Sequence, residues 1–144
     1  MGIFDTREYE EDDYDKEYNE HEKKNEELLD LFGKDLGKLS EKTKNLHLSN
    51  ASLFINDYFF RYEVKDVEEG AAYIDSFFDF FIHKCLWSSP YTVKQMAASI
   101  RKFYKSMYAH GRVGEEDLEY VLETIKYNLD DWVDESDIGD CDWF

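Results

Sequence analysis

Proline, glycine and cysteine are scarce in this chain of 144 residues, which holds 1 Pro, 7 Gly and 2 Cys. So little punctuation disfavours a many-turned β architecture and suits a few long helices. The two cysteines, Cys85 and Cys141, stand far apart with no pairing pattern. They read as free thiols of a reducing cytoplasm rather than as a disulfide frame. No run approaches the roughly 18 apolar residues that a membrane span requires, and the mean hydropathy is −0.71. The opening Met1-Gly2-Ile3-Phe4-Asp5 turns acidic at once, which does not fit a secretory signal. These absences lead to the expectation of a cytoplasmic protein with no membrane partner.

Positive charge is also in short supply, with 17 Lys and Arg against 34 Asp and Glu and a net charge of −17. The shortage is uneven. Residues 1–37 hold 5 bases and 14 acids, a balance of −9, and residues 113–144 hold 1 base and 12 acids, a balance of −11. Between them, residues 38–112 hold 11 bases and 8 acids, a balance of +3. A mildly basic middle is thus bracketed by acidic ends, a pattern of solvated tails or of electrostatic interaction segments. Aromatic residues are plentiful at 17%, enough to build a packed core in a single domain.

Apolar spacing of three and four predicts an all-α bundle of five helices, centred near residues 31, 52, 76, 101 and 122. Leu28, Leu29, Phe32 and Leu36 form the first stripe, weakened by Gly33 and ended by Gly37. Ser40 suits the N-cap of the second helix, with Leu48, Ala51, Ile55, Tyr58 and Tyr62 as its stripe and Phe54 and Phe59 beside it. Asp66 caps a third, striped by Val67, Ala71, Ile74, Phe78, Phe81 and Cys85 and widened by Phe77 and Phe80. Ser89-Pro90 fits the start of a fourth, with Val93, Met96, Ala97, Ile100, Phe103, Tyr104 and Met107 inward and Gly111 as its stop. A fifth follows Gly114, striped by Leu118, Val121, Leu122, Ile125, Leu129 and Trp132. The domain is expected over residues 26–133. Residues 1–25 form an acidic segment with too few aliphatic side chains to offset ordering, read as disordered or as a frayed backward extension of the next helix. Residues 134–144 are expected as an acidic C-terminal tail.

Two stretches together resemble a known family. Leu39-Ser40-Glu41-Lys42-Thr43 followed by His47, Ala51, Phe54 and Tyr58 is similar to the first helix of the N-terminal, DNA-clamping domain of tyrosine recombinases (phage integrases). Ser89-Pro90-Tyr91-Thr92-Val93, then Ala97, Ile100, Phe103, Tyr104, Met107, Gly111 and Val113, resembles that family's Ser-x-x-Thr start, aromatic-ended helix and following Gly. The resemblance covers roughly residues 38–127 and implies a SAM-like helical fold. It implies a DNA-contacting site at Thr43, Lys44, Thr92, Lys94, Arg101, Lys102 and Lys105, where hydroxyls and cations meet phosphates. The family's chemistry is not carried over. None of His21, His47, His83 or His110 has Arg three residues on, and about 30 residues after Gly114 are too few for the catalytic domain.

No catalytic residue, metal site or cofactor is expected. Asp130, Asp131, Asp134, Asp137, Asp140 and Asp142 lack the order of a calcium loop, and Cys85 lies on an apolar stripe, where a buried thiol is the ordinary outcome. Two functional classes stay open. One is a nucleic-acid-associated binding module, carried by the basic middle. The other is an acidic protein-interaction module without DNA binding, carried by surplus aromatics such as Phe59, Phe60, Phe77 and Phe80; association with a second copy is compatible with either. The cations could equally be an ordinary solvated helix face, and the acidic ends could lie across the Lys94–Arg112 face as a mask.

Overall fold

Helix starts and stops are written into local side chains. The computed structural model describes the backbone of residues 2–141 and the side chains of residues 16–137. Among these residues there is no strand, and the chain forms five helical rods. The first is α1, Gly2–Asp35. The second joins α2 (Glu41–Ser52), a π-helical stretch (Leu53–Tyr58) and α3 (Phe59–Arg61). The third joins α4 (Val67–Gly70), a 3-10 turn (Ala71–Tyr73) and α5 (Ile74–Lys84). The last two are α6, Pro90–Ala109, and α7, Glu115–Cys141. Ser40 and Asp66 accept the backbone N–H of Thr43 and Glu69, so each supplies one of the acceptors that a helix start lacks. At α6, Ser89 and Thr92 form a reciprocal capping box with Pro90 at the first helical position.

Packing places α6 at the centre, in contact with α1, α2, α5 and α7. Val93, Met96, Ala97, Ile100, Phe103, Tyr104 and Met107 are all fully buried along it, as the spacing predicts. The core is aromatic. Phe54 meets Phe59 and Phe77 edge-on, Phe32 meets Phe103, and Phe78 stacks on Trp132 with ring centroids 4.2 Å apart. Gly70 lets the third rod approach the second: a Cβ there would sit 2.4 Å from the Phe59 ring. The buried Tyr104 hydroxyl donates to the Val67 carbonyl at 2.8 Å, which satisfies its one polar group.

Several details refine or correct the expected outline. α1 runs back through residues 2–25, the backward extension of the first helix that the sequence allows, with residues 16–24 exposed. It passes through Gly33, whose missing side chain faces Leu48, and ends at Asp35 before Gly37. The acidic residues after 133 likewise continue α7, where Trp132 and Ser136 are buried and the helix persists to Cys141. Trp143 and Phe144 lie outside the described residues. In the second rod the π stretch carries more residues per turn, which rotates the inner face, so Phe59 is buried and Tyr62 is 44% exposed. Asn25 compensates at that stretch, donating to the Ile55 carbonyl at 3.1 Å and to Asn56 Oδ1 at 2.8 Å. Phe59, Phe77 and Phe80 belong to the core rather than to a partner surface, and only Phe60 of that set is exposed, against Tyr18.

Candidate functional site

The sequence Pro90–Ala109 contains no Asp or Glu, so α6 carries Lys94, Arg101, Lys102 and Lys105 with no acid of its own. Its buried side is continuous, which leaves one direction for the charged residues. Tyr91, Lys94, Ala98, Arg101, Lys105 and Tyr108 recur at intervals of three and four along the opposite side, a stripe about 26 Å long at 1.5 Å per residue. Lys94, Lys102 and Lys105 are exposed, Arg101 is half-buried, and Tyr91 is 71% exposed. Among the described residues none of the four cations forms an ion pair. The pairs that do occur are Lys44 with Glu41 (3.9 Å), His83 with Asp79 (3.4 Å), His110 with Asp35 (3.0 Å) and Arg112 with Glu27. Two α1 acids, Glu27 and Asp35, therefore reach the Arg112 end of the basic face, and no other acid among the described residues pairs with it.

The other sequence-predicted site residues sit differently. The Thr92 hydroxyl accepts from the Ser89 N–H at 2.8 Å and donates to the Trp87 carbonyl at 3.0 Å, so capping consumes it. The Thr43 hydroxyl takes a hydrogen bond from Ser40 in the cap of α2. Thr92 could meet a phosphate only by giving up its bonds in a helix start, whereas the Thr43 hydroxyl keeps its own hydrogen to donate. Lys44 lies on α2 one turn before His47, beside Glu41. Lys102 borders the same seam: its charge, after burial, is the second cause holding the His47 imidazole below its ordinary pKa.

Two polar clusters tie the bundle together at the flanks of α6. Ser99 Oγ accepts from Asn50 at 3.0 Å and lies 2.7 Å from His47 Nδ1. Burial, followed by the Lys102 charge, lowers the imidazole pKa and favours its neutral form, which shares one hydrogen bond with Ser99. Ser99 is fully buried, so this Ser-His pair is closed to a substrate. At the far end, Ser106 donates to Asp35 Oδ2, and His110 Nε2 lies 3.0 Å from the same oxygen. The serine bond is the largest cause holding the Asp35 carboxyl below its ordinary pKa. A nucleophile needs its base adjacent; here both groups turn to the carboxylate, and the cluster is a clasp between α1 and α6.

The apolar surface is where the sequence reading fell short. Leu86 is 101% and Trp87 57% exposed in the turn before α6, a segment read only as a helix break. An open groove of about 630 Å³ includes Trp87 in its wall and is of mixed character, lined by Leu29, Leu48 and Leu53 and by Ser49, Asn50, Ser52 and Asp57. A second groove of about 470 Å³ lies between α5 and α7 and is acidic, lined by Asp75, Asp79, Asp131, Asp134 and Glu135 around Trp132. No described helix is long and apolar enough to cross a membrane. Comparison with protein-family models, with curated proteins and with solved structures finds no match for this chain. The likeness to recombinase clamping domains accordingly rests on the residues quoted for it.

Proposed function

We propose that the chain is a non-catalytic binding module whose contact surface is the outward stripe of α6, and that the stripe engages a polyanion of the nucleic-acid kind. One observation carries this reading: in a protein of net charge −17, an acid-free helix holds four cations together with none in an ion pair among the described residues. Tyr91 and Tyr108 stand exposed at the two ends of the stripe. The likeness of Ser89–Val113 to the recombinase clamp supports the same reading. Binding is expected to be weak, because the acids of α1 and α7 repel the same ligand.

The test is a titration of duplex DNA against the full chain at several salt concentrations. Four phosphate contacts give a log–log slope no steeper than about −4, a loss on the order of 100-fold in affinity between 50 and 200 mM salt. Lys94→Glu with Arg101→Glu and Lys105→Glu is expected to abolish it. Binding that ignores this triple change, or no binding at the lowest salt, overturns the proposal. A second reading, a protein partner, is favoured by the exposed Leu86 and Trp87 in the turn before α6. Replacing both by Ser leaves DNA binding intact if the α6 stripe is the contact surface.

A further inference from the structure

The α6 stripe has a neighbour of opposite sign in the same layer. α7 packs lengthwise against α6 across the short 110–114 connection, so the two helices run antiparallel. On α7 the buried residues are Val121, Ile125, Trp132 and Ser136. Opposite them Glu116, Glu119, Glu123, Asp130 and Asp137 are exposed, with Tyr120 and Tyr127 alongside. Each stripe lies away from its own helix's buried side. They therefore run side by side on one outer face, basic along α6 and acidic along α7. Helical rise from the shared turn sets their levels: Lys94 and Asp130 each lie 15 residues from it, Arg101 and Glu123 each 8, and Lys105 and Glu119 each 4. None of these six forms an ion pair within the chain among the described residues.

We infer that this half-basic, half-acidic face docks on the same face of a second copy. A two-fold axis parallel to the helices lays α6 of one copy over α7 of the other and keeps every residue at its level. Lys94 then faces Asp130 of the second copy, Arg101 faces Glu123 and Lys105 faces Glu119, and the same three pairs recur on the other side of the axis. A two-fold axis across the helices would instead set α6 on α6 and α7 on α7, like charge on like. The heptad spacing of Lys94 with Arg101 and of Glu123 with Asp130 is what makes the first arrangement register. Two helices about 30 Å long and about 10 Å apart offer roughly 600 Å² per copy. The total of about 1,200 Å² is the low end for specific interfaces and fits a reversible dimer. The dimer would cover the same α6 stripe that the proposed function uses, so self-association and polyanion binding compete.

Charge exchange tests the pairing. One full-length variant carries Lys94→Glu, Arg101→Glu and Lys105→Glu; the other carries Glu119→Lys, Glu123→Lys and Asp130→Lys. Five of the six positions are exposed and Arg101 is half-buried, so circular dichroism is used to check that each variant keeps its helix content. At about 0.01 M ionic strength, where the Debye length is about 30 Å, wild type should sediment toward twice its 17.2 kDa mass. It should return to 17.2 kDa at about 1 M salt. Each variant alone should be monomeric, and an equimolar mixture should restore the dimer, since both interfaces are then complementary. Wild type that stays monomeric at low salt and high micromolar concentration overturns the inference, as does a dimer that survives in either variant alone or a mixture that stays monomeric. The α7 variant keeps the α6 stripe, so its affinity for DNA separates the two ideas. Loss of DNA binding there with the dimer result intact defeats the proposed function alone.

Discussion

His47 shows what one buried residue contributes. Its ring is buried at the α2–α6 seam and shares a hydrogen bond with Ser99, and burial followed by the Lys102 charge lowers its pKa from 6.5. In the unfolded chain the imidazole takes up a proton near its ordinary value, while the folded protein resists it. The contribution is therefore complete above pH 6.5 and is lost as pH falls from there toward the lower folded value. Asp35 acts in a separate window. Its carboxyl is held down chiefly by Ser106, so its contribution is present above the ordinary value of 3.8 and fades as pH drops below it. The expected outcome is that urea unfolding of His47→Gln loses less stability between pH 7.5 and 5.5 than wild type does, because an amide keeps a polar partner for Ser99 and cannot titrate. Equal losses in the two proteins would place the acid sensitivity elsewhere.

Elements differ in how clearly their ends were legible. α6 closes with both bonds of a Schellman motif, Arg112 N–H to the Met107 carbonyl at 2.8 Å and Gly111 N–H to the Tyr108 carbonyl at 3.0 Å. Gly111 stands there at φ 71°, so the stop could be read from one glycine. The second rod closes with the same long bond, Val64 N–H to the Phe59 carbonyl at 2.9 Å, but with Glu63 at φ 55° in the position that favours glycine. No residue type announced that stop. Glu63→Gly is expected to raise stability by about 0.5–1 kcal/mol, the relief of a left-handed side chain less the greater freedom of glycine when unfolded. A lower melting temperature would show that the Glu63 side chain contributes more than its backbone costs. The stripes of α5 and α6 were legible because unbroken three-four spacing needs no tertiary context. The π stretch was not, since its extra residue per turn is stabilised by Asn25, 30 residues distant from Ile55. The cations of α6 were found by composition and spacing, whereas the fate of Thr43 and Thr92 depended on which hydrogen bond each hydroxyl makes. Leu86 and Trp87 escaped notice because two apolar residues in a turn carry no period.

At the scale of the whole molecule, charge is segregated by helix. α7 holds 11 acids and 1 Lys, and α1 holds 14 acids and 5 bases, while α6 holds 4 bases and no acid. Along α7, Glu116, Glu119 and Glu123 and then Asp130, Asp134 and Asp137 fall at three- and four-residue spacing, each like pair costing about 0.2–0.5 kcal/mol. Sodium chloride shortens the range of that repulsion from about 30 Å at 0.01 M to about 3 Å at 1 M. In dilute solution, where the chain is monomeric, the melting temperature should accordingly rise with added salt. The Glu119→Lys, Glu123→Lys, Asp130→Lys variant should rise less, because it has lost much of the repulsion that salt screens. In concentrated low-salt solution the face-to-face dimer adds stability through mass action, and salt removes that share as it separates the copies. The slope of melting temperature against salt should therefore be steepest in dilute protein and flatten or reverse as protein concentration increases. A slope that is flat in dilute protein would mean that the acidic ridge is not strained by its own charge. A slope indifferent to protein concentration would leave the ridge unpaired and its acids merely solvated.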